Sequence, residues 1–170
     1  MQLSIREMQL DEVGVIISYF HQASPEHLEL LGVDPTKLPP PERWLEHYKH
    51  EYNKPIEQRS TLLVVWKAGD SPIGFSTADK IIYGKEAYMH LHILKAEQRR
   101  AGNGTACVKE TAKIYFEVLK LERLFCEPNA LNVAPNRTLQ SAGFKYLKTH
   151  KTVPGPLNYH QAVTQWMLEK

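Results

Sequence analysis

The sequence predicts an α/β (α+β) fold: a mixed, mostly antiparallel central sheet of about six to seven strands with helices on both faces. Three observations carry this. Alternating and helical patterns follow one another in the order β-α-α-α-β-β-β-α-β-α-β-β. Three β-rich runs between Thr61 and Leu94 are joined only by tight turns, so they pair as an antiparallel meander. A long helical stripe then follows a short basic loop containing two glycines.

A chain of 170 residues suits one domain. At that size folding buries roughly two-thirds of the unfolded surface, enough for a core without staples. The formal net charge of +2 is too mild to argue for nucleic acid or an anionic membrane, so any basic site must be local. No apolar run approaches the ~20 residues of a membrane span. Residues Met1 to Met8 alternate and lack the basic end and apolar core of a leader, so the expected location is cytoplasmic. Cys107 and Cys126 are the only cysteines, and they read as reduced, buried small hydrophobes.

The elements follow in order. Leu3, Ile5 and Met8 alternate with polar neighbours as a first strand. Asp11 is placed to cap a helix through Val13, Ile16, Ile17 and Phe20. Pro25 starts a second short helix that Gly32 ends, with Leu28, Leu30 and Leu31 on its apolar side. After Asp34-Pro35 and Pro39-Pro40-Pro41, Glu42 to Tyr52 is helical and carries Trp44, Leu45 and Tyr48. Three helices ahead of the main sheet suggest a cover over one end of it, either shaping a pocket or simply packing. Thr61–Trp66, Ile73–Ile82 (interrupted near Ala78–Asp79) and Ala87–Leu94 are the meander, turning at 68–72 and 83–85. Gly104 to Lys120 keeps Cys107, Val108, Ala112, Tyr115, Phe116 and Leu119 on one helical stripe. Leu121–Cys126 is a short strand, and Asn132–Ala142 is a helix ending at Gly143. Phe144–Thr149 and Ala162–Leu168 close the chain around a Pro154-Gly155-Pro156 loop.

The loop Arg99-Arg100-Ala101-Gly102-Asn103-Gly104-Thr105 stands between strand and helix. Its glycines let backbone approach a ligand, and the helix behind it offers free N–H groups and a positive dipole end. Two readings follow: a pyrophosphate cradle with Arg99 and Arg100 adding charge, or an ordinary glycine turn. A dinucleotide fingerprint is disfavoured for want of a third spaced glycine. A Walker loop is excluded by the missing Gly-Lys-Ser/Thr ending.

In these residues the chain resembles the GNAT acetyltransferase superfamily. The pattern Arg-x-x-Gly-x-Gly after a strand is met by Arg99, Gly102 and Gly104. Downstream, Asn129, Asn132, Arg137 and Gly143-Phe144 are similar to the Asn…Arg…Gly-Phe segment of the ribosomal-protein N-terminal (Rim-type) branch. The resemblance covers residues 61–150 well and the N-terminal elements loosely. It implies a single acetyltransferase domain over residues 1–170, with residues 24–58 as a helical cover. It also implies a sheet that splays after the strand carrying Leu94, and acetyl-CoA as co-substrate. Backbone amides of Arg100, Ala101, Gly102, Asn103, Gly104 and Thr105 would hold the pyrophosphate, with Arg99 adding charge. Leu94 and its neighbours would pair with the pantetheine arm, and Asn132 would meet its pantetheine or acetyl end.

Acetyl transfer to an amine requires an amine deprotonated, a thioester oxygen polarised and a thiolate protonated. Alternation puts Tyr88, His90 and His92 on one strand face. Histone acetyltransferases of the superfamily place their glutamate at the position of Tyr88, and arylalkylamine acetyltransferases place a histidine at that of His90. His90 is the favoured base, directly or through water, with Glu86 second and Tyr88 a candidate acid. The bland reading of His90 and His92 is that of partly buried, hydrogen-bonded strand histidines. The His-x-His pair also suggests metal, but the cysteines lie on other elements and no acidic ligand is placed beside it, so no metal is expected. The tyrosine that many members place before Gly-Phe is Leu139 here, and the serine of the N-terminal branch is Pro135. Tyr159 is a further acid candidate, from a loop able to return to the site.

The leading expectation is direct acetyl transfer to a primary amine, either a small molecule or a peptide N-terminus, by a monomer or homodimer with no nucleic-acid or membrane partner. The alternative is a non-catalytic acyl-CoA-binding or regulatory module that keeps the cradle. A third reading is a mixed-sheet domain that binds no cofactor.

Overall fold

Strands β1 (Leu3–Glu7), β2 (Leu62–Ala68), β3 (Ser71–Ile82), β4 (Glu86–Ile93), β5 (Arg123–Cys126), β6 (Lys145–Thr152) and β7 (Gln161–Glu169) form one sheet in the order β1-β2-β3-β4-β5-β7-β6. The computed structural model describes residues 2–99 and 102–170, and the side chains of all of these except Ala96 and Arg99. Every strand pair is antiparallel except β4 with β5. The helices are α1 (Gly14–His21), α2 (Pro25–Leu30), α3 (Pro41–Tyr52), α4 (Ala96–Arg99), α5 (Asn103–Val118) and α6 (Val133–Ser141). The expected element order is observed, with α4 added before the glycine loop.

Period-two alternation in β2 sorts its side chains to two cores. Leu62, Val64 and Trp66 join Met89, Leu124, Tyr115 and Leu139 on the face covered by α5 and α6. Leu63 and Val65 join Phe75, Ile16, Phe20, Trp44 and Tyr48 on the face covered by α1 to α3. Buried polar bonds fasten α5 to the sheet. Trp66 Nε1 donates to Thr111 Oγ1 (2.8 Å), and the Tyr115 hydroxyl donates to Ser76 Oγ (2.9 Å). Ser76 in turn donates to the His90 carbonyl (2.6 Å), so α5 reaches through β3 to hold β4 at His90.

One local expectation is corrected and another is located more closely. Asp11 does not cap α1. It lies inside a 3-10 turn, Leu10–Glu12, where Gln9 and Glu12 cap each other reciprocally and α1 starts only at Gly14. The irregularity in β3 falls just after Asp79: the register against β4 shifts between Asp79 and Ile82, and Lys80 takes a φ of +47°.

The gap that matters lies between β4 and β5. Pairing runs from Glu86↔Arg123 to Met89↔Cys126 and stops, because β5 ends while β4 continues to Ile93 against β3 alone. The sheet is splayed from His90 onward.

Candidate active site

A cavity of about 800 Å³ opens at this splay. Its floor is the α1–α3 face of β3 and β4, its far side the segment Glu127–Asn132, and its walls are α1, α3 and the β6–β7 loop. The loop is clasped to the cover. Gly32 O accepts from Asn158 Nδ2 (2.9 Å) and Gln161 Nε2 (2.8 Å), and Lys37 Nζ donates to Asn158 O (2.6 Å). Gly32 has a φ of +69°, and a Cβ there would run into the Gln161 amide, so the clasp requires glycine.

His90 lines the cavity. Its Nε2 lies 3.1 Å from Asp79 Oδ2, close enough to pair but off the line of a hydrogen bond, and Asp79 Oδ1 is buried without a partner among the described residues. The register explains the approach: Thr77 opposes His90 and Asp79 opposes Tyr88, so Asp79 is one diagonal step away on the same face. Glu127, just past β5, has the same parity as Phe125, which stacks on Tyr88 at 5.0 Å. With neighbouring strands ~4.8 Å apart, Asp79, His90 and Glu127 form a row across β3, β4 and the end of β5. Glu127 is buried and accepts from His150 Nε2 on β6 (2.6 Å) and from Gln165 Nε2 (3.2 Å).

The other expected residues fall as follows. Tyr88 shares the His90 face but lies off the cavity, stacked on Phe125 and beneath Lys80 Nζ (4.7 Å). Burial, with Glu127 and Glu86 nearby, raises its hydroxyl above the usual tyrosine range, so it keeps its proton at neutral pH. Glu86 is at the opposite end of β4, ion-paired to Arg123 at 2.8 Å, and does not line the cavity. His92 lines the cavity but sits among the rings of Phe75, Phe20 and Tyr19 at 5.0–5.2 Å, a packing position. The Tyr159 hydroxyl donates to Glu29 O on the cover (3.2 Å). Leu139 is fully buried in the α5–α6 core, and Pro135 lines the cavity.

On the cofactor side, Leu94 N donates to Ile73 O (2.9 Å), continuing the β3 pairing beyond β4. Arg99 ends α4, while Arg100 and Ala101 lie outside the described residues. Gly102 takes the left-handed conformation (φ +72°) as N-cap of α5, with Asn103, Gly104 and Thr105 in the first turn and no side chain capping it. Among the described residues no side chain caps these first-turn N–H groups, and the open edge of β4 faces the gap. Asn132 caps α6 and lines the cavity; its carbonyl and that of Asn129 accept from Asn136 Nδ2. An uncapped glycine turn, a strand edge unpaired beyond Met89 and a cavity lined by His90, Leu91 and Asn132 fit a coenzyme A thioester. Among the described residues no group of three His, Cys, Asp or Glu side chains could hold a metal.

Asp79 and Glu127 escaped the sequence reading. Asp79 carried a signal, as the expected break in β3. Glu127 carried only its parity with Phe125, which means nothing until β5 is known to lie beside β4.

The family model described as the acetyltransferase (GNAT) domain matches residues 2–145. The chain therefore belongs to the GNAT acetyltransferase family, and it is an N-acetyltransferase. No curated protein sequence matches it. Solved structures do. Spermidine N-acetyltransferase from Vibrio cholerae with CoA and spermine aligns at 16% identity over 99% of this chain and 95% of its own, TM-score 0.74. Aminoglycoside acetyltransferase AAC(6')-Ib with coenzyme A aligns at 14% over 99% and 95%, TM-score 0.71. The ribosomal α-N-protein acetyltransferase RimL with coenzyme A aligns at 13% over 99% and 94%, TM-score 0.75. At these identities the likeness is one of fold.

Proposed function

We propose that this protein transfers the acetyl group of acetyl-CoA directly to a primary amine, a small molecule or a peptide N-terminus, with His90 as the base. The observation that carries this is His90 in the cavity, beside Asp79, at the point where β4 loses β5. Acetyl-CoA supplies an activated acyl group, and the residues that would hold it are Leu94, Gly102 to Thr105 and Asn132, with Arg99, Arg100 and Ala101 completing the loop. The solved relatives bound to spermine and to ribostamycin hold amines, which supports the acceptor class.

An ammonium acceptor sheds two protons on becoming an amide. One ends on the departing thiol and one goes to solvent. A small ring rotation that brings Nε2–H into line with Asp79 leaves His90 Nδ1 to receive the first, directly or through water. Asp79 fixes the ring and its tautomer. Glu127 is a second buried carboxylate at the acceptor, and its bond to the half-exposed His150 leads from the cavity to the surface. The 24–58 cover supplies part of the walls, with α1 and the β6–β7 loop, and residues 1–170 act as one catalytic unit in the cytoplasm. No described helix is long and apolar enough to cross a membrane.

The test is thiol release from acetyl-CoA with a panel of amines. His90→Ala is expected to lower kcat/KM by ~10²–10⁴ while coenzyme A binding is kept. Tight acetyl-CoA binding with no turnover on any amine, and no effect of His90→Ala, would sink the proposal.

A further inference from the structure

The walls of the cavity and the places of its charges constrain what the amine is attached to. Beyond the His90 row one wall is apolar and aromatic, while uncharged polar side chains such as Ser60, Thr61, Asn129 and Asn132 line other parts. Phe20 of α1 and Trp44 of α3 stack with centroids 5.8 Å apart at 28°, and Leu31, Val33 and Leu157 extend the same surface. Among the lining residues the carboxylates are Asp79 and Glu127 alone, and both belong to the His90 row. The remaining formal charges of the lining are cationic, Arg43 beside Trp44 and Lys80 beside Asp79. Of the cover's glutamates, Glu26, Glu29, Glu42, Glu46 and Glu57 are exposed, Glu51 is buried against Lys54, and none lines the cavity.

We propose that the acceptor is a monoamine whose ammonium meets Asp79 and Glu127 and whose body is aromatic or comparably apolar, resting on Phe20, Trp44 and Leu157. This rests on reading the cavity as the acceptor site. The physical ground is desolvation. One ammonium entering the His90 row finds two carboxylates. A second ammonium farther along the same molecule meets hydrocarbon and the Arg43 guanidinium, with no carboxylate to offset its lost hydration. A polyamine or an aminoglycoside is therefore a poor fit, and a peptide laid along Phe20, Trp44 and Leu157 would bring backbone N–H and C=O groups against hydrocarbon. An aromatic body gains from the same wall by burial and by edge or stacked ring contacts.

The experiment compares kcat/KM for 2-phenylethylamine, tryptamine, spermidine, ribostamycin and a short peptide with a free α-amine, at fixed acetyl-CoA. The two aromatic monoamines are expected to exceed the other three by about a hundredfold or more, ~2.8 kcal/mol. Trp44→Ala is expected to raise KM for 2-phenylethylamine about tenfold with kcat little changed, ~1.4 kcal/mol of uniform binding. Because Trp44 is a core residue, Leu157→Asp on the loop provides an independent arm. A carboxylate placed in the apolar wall is expected to shift the kcat/KM ratio of an α,ω-diamine over 2-phenylethylamine upward by about tenfold. Preference for spermidine, ribostamycin or the peptide, or a Leu157→Asp ratio that does not move, overturns the inference while leaving N-acetylation of an amine intact. Acetyl-CoA binding without turnover of any of the five overturns the acceptor reading and this inference with it.

Discussion

His90 stands where three constraints meet: Asp79 at 3.1 Å on one side, the buried Gly155 against its ring edge, and a carbonyl held by Ser76 behind it. Each can be perturbed separately. Asp79→Asn keeps the shape but removes the charge and offers a donor, which favours the wrong ring tautomer; kcat should fall by roughly tenfold or more, ~1.4 kcal/mol of barrier, with KM little changed. A kcat that stays put in Asp79→Asn would detach this carboxylate from the chemistry. Gly155→Ala would place a Cβ 3.0 Å from His90 Cε1 and 2.8 Å from Asn158 Oδ1. That overpacking should cost about 1–3 kcal/mol, shared between ring displacement and loop lifting, and be read as lost activity together with a lower thermal midpoint. The thiols are the opposite case. Burial raises Cys107 to about 11 and pushes Cys126 well above the ordinary range, so neither supplies a thiolate at neutral pH. Native protein should resist alkylation at pH 8, and a Cys126→Ser variant should still turn over. At this scale His90 was legible from its strand parity and from the family resemblance. Asp79 and Glu127 were not, because a carboxylate becomes a partner only when a neighbouring strand brings it across.

Among the elements, the glycine turn and α5 carry the proposed coenzyme A site. Gly102 occupies a left-handed φ of +72° with open space around the missing Cβ, so its substitution is strained by backbone and not by crowding. Gly102→Ala should cost ~1–2 kcal/mol of stability, seen as a lower thermal midpoint, and should weaken coenzyme A binding by tilting the turn. Gly104 differs. A Cβ there meets Thr138 Cγ2 at 3.7 Å and Ile93 Cδ1 at 3.8 Å, ordinary contacts, so a small side chain fits. Gly104→Glu adds a negative charge beside the first-turn N–H groups, and affinity for coenzyme A should fall at least ~tenfold, ~1.4 kcal/mol, by calorimetric titration. Unchanged affinity would move the phosphate site elsewhere. Most element boundaries were legible, because alternation and the 3.6 period are written in neighbouring residues. The start of α1 was not: the Gln9–Glu12 reciprocal cap, drawn also toward Arg6 at 2.7 Å, outcompetes Asp11 for the turn.

For the whole molecule, the Arg6–Glu12 pair ties β1 to the entry of the cover, with Lys67 of β2 at 3.5 Å. The Arg6 hydrogen bond and the Gln9 backbone N–H hold Glu12 at about 2, against an ordinary 4.5. A depressed carboxyl stabilises the fold in full above its unfolded value and loses that contribution as pH falls through its folded value. The stability difference between the native chain and Glu12→Gln should therefore persist at pH 7 and shrink between about pH 4.5 and 2, as read by denaturant titration at each pH. A difference independent of pH across that window would assign the pair no such role. The sequence by itself determined the element order, the meander, the two-sided burial of the sheet and the glycine turn, because each depends on residues close in the chain. Only the tertiary structure decided that β5 stops at Cys126 while β4 runs on, that Asp79 and Glu127 flank His90, and that the 153–160 loop clasps Gly32. Those depend on where strands end relative to one another and on contacts between residues more than a hundred positions apart, such as Asn158 with Gly32. No local pattern encodes such distances; they appear only when the sheet is assembled and both cores are filled.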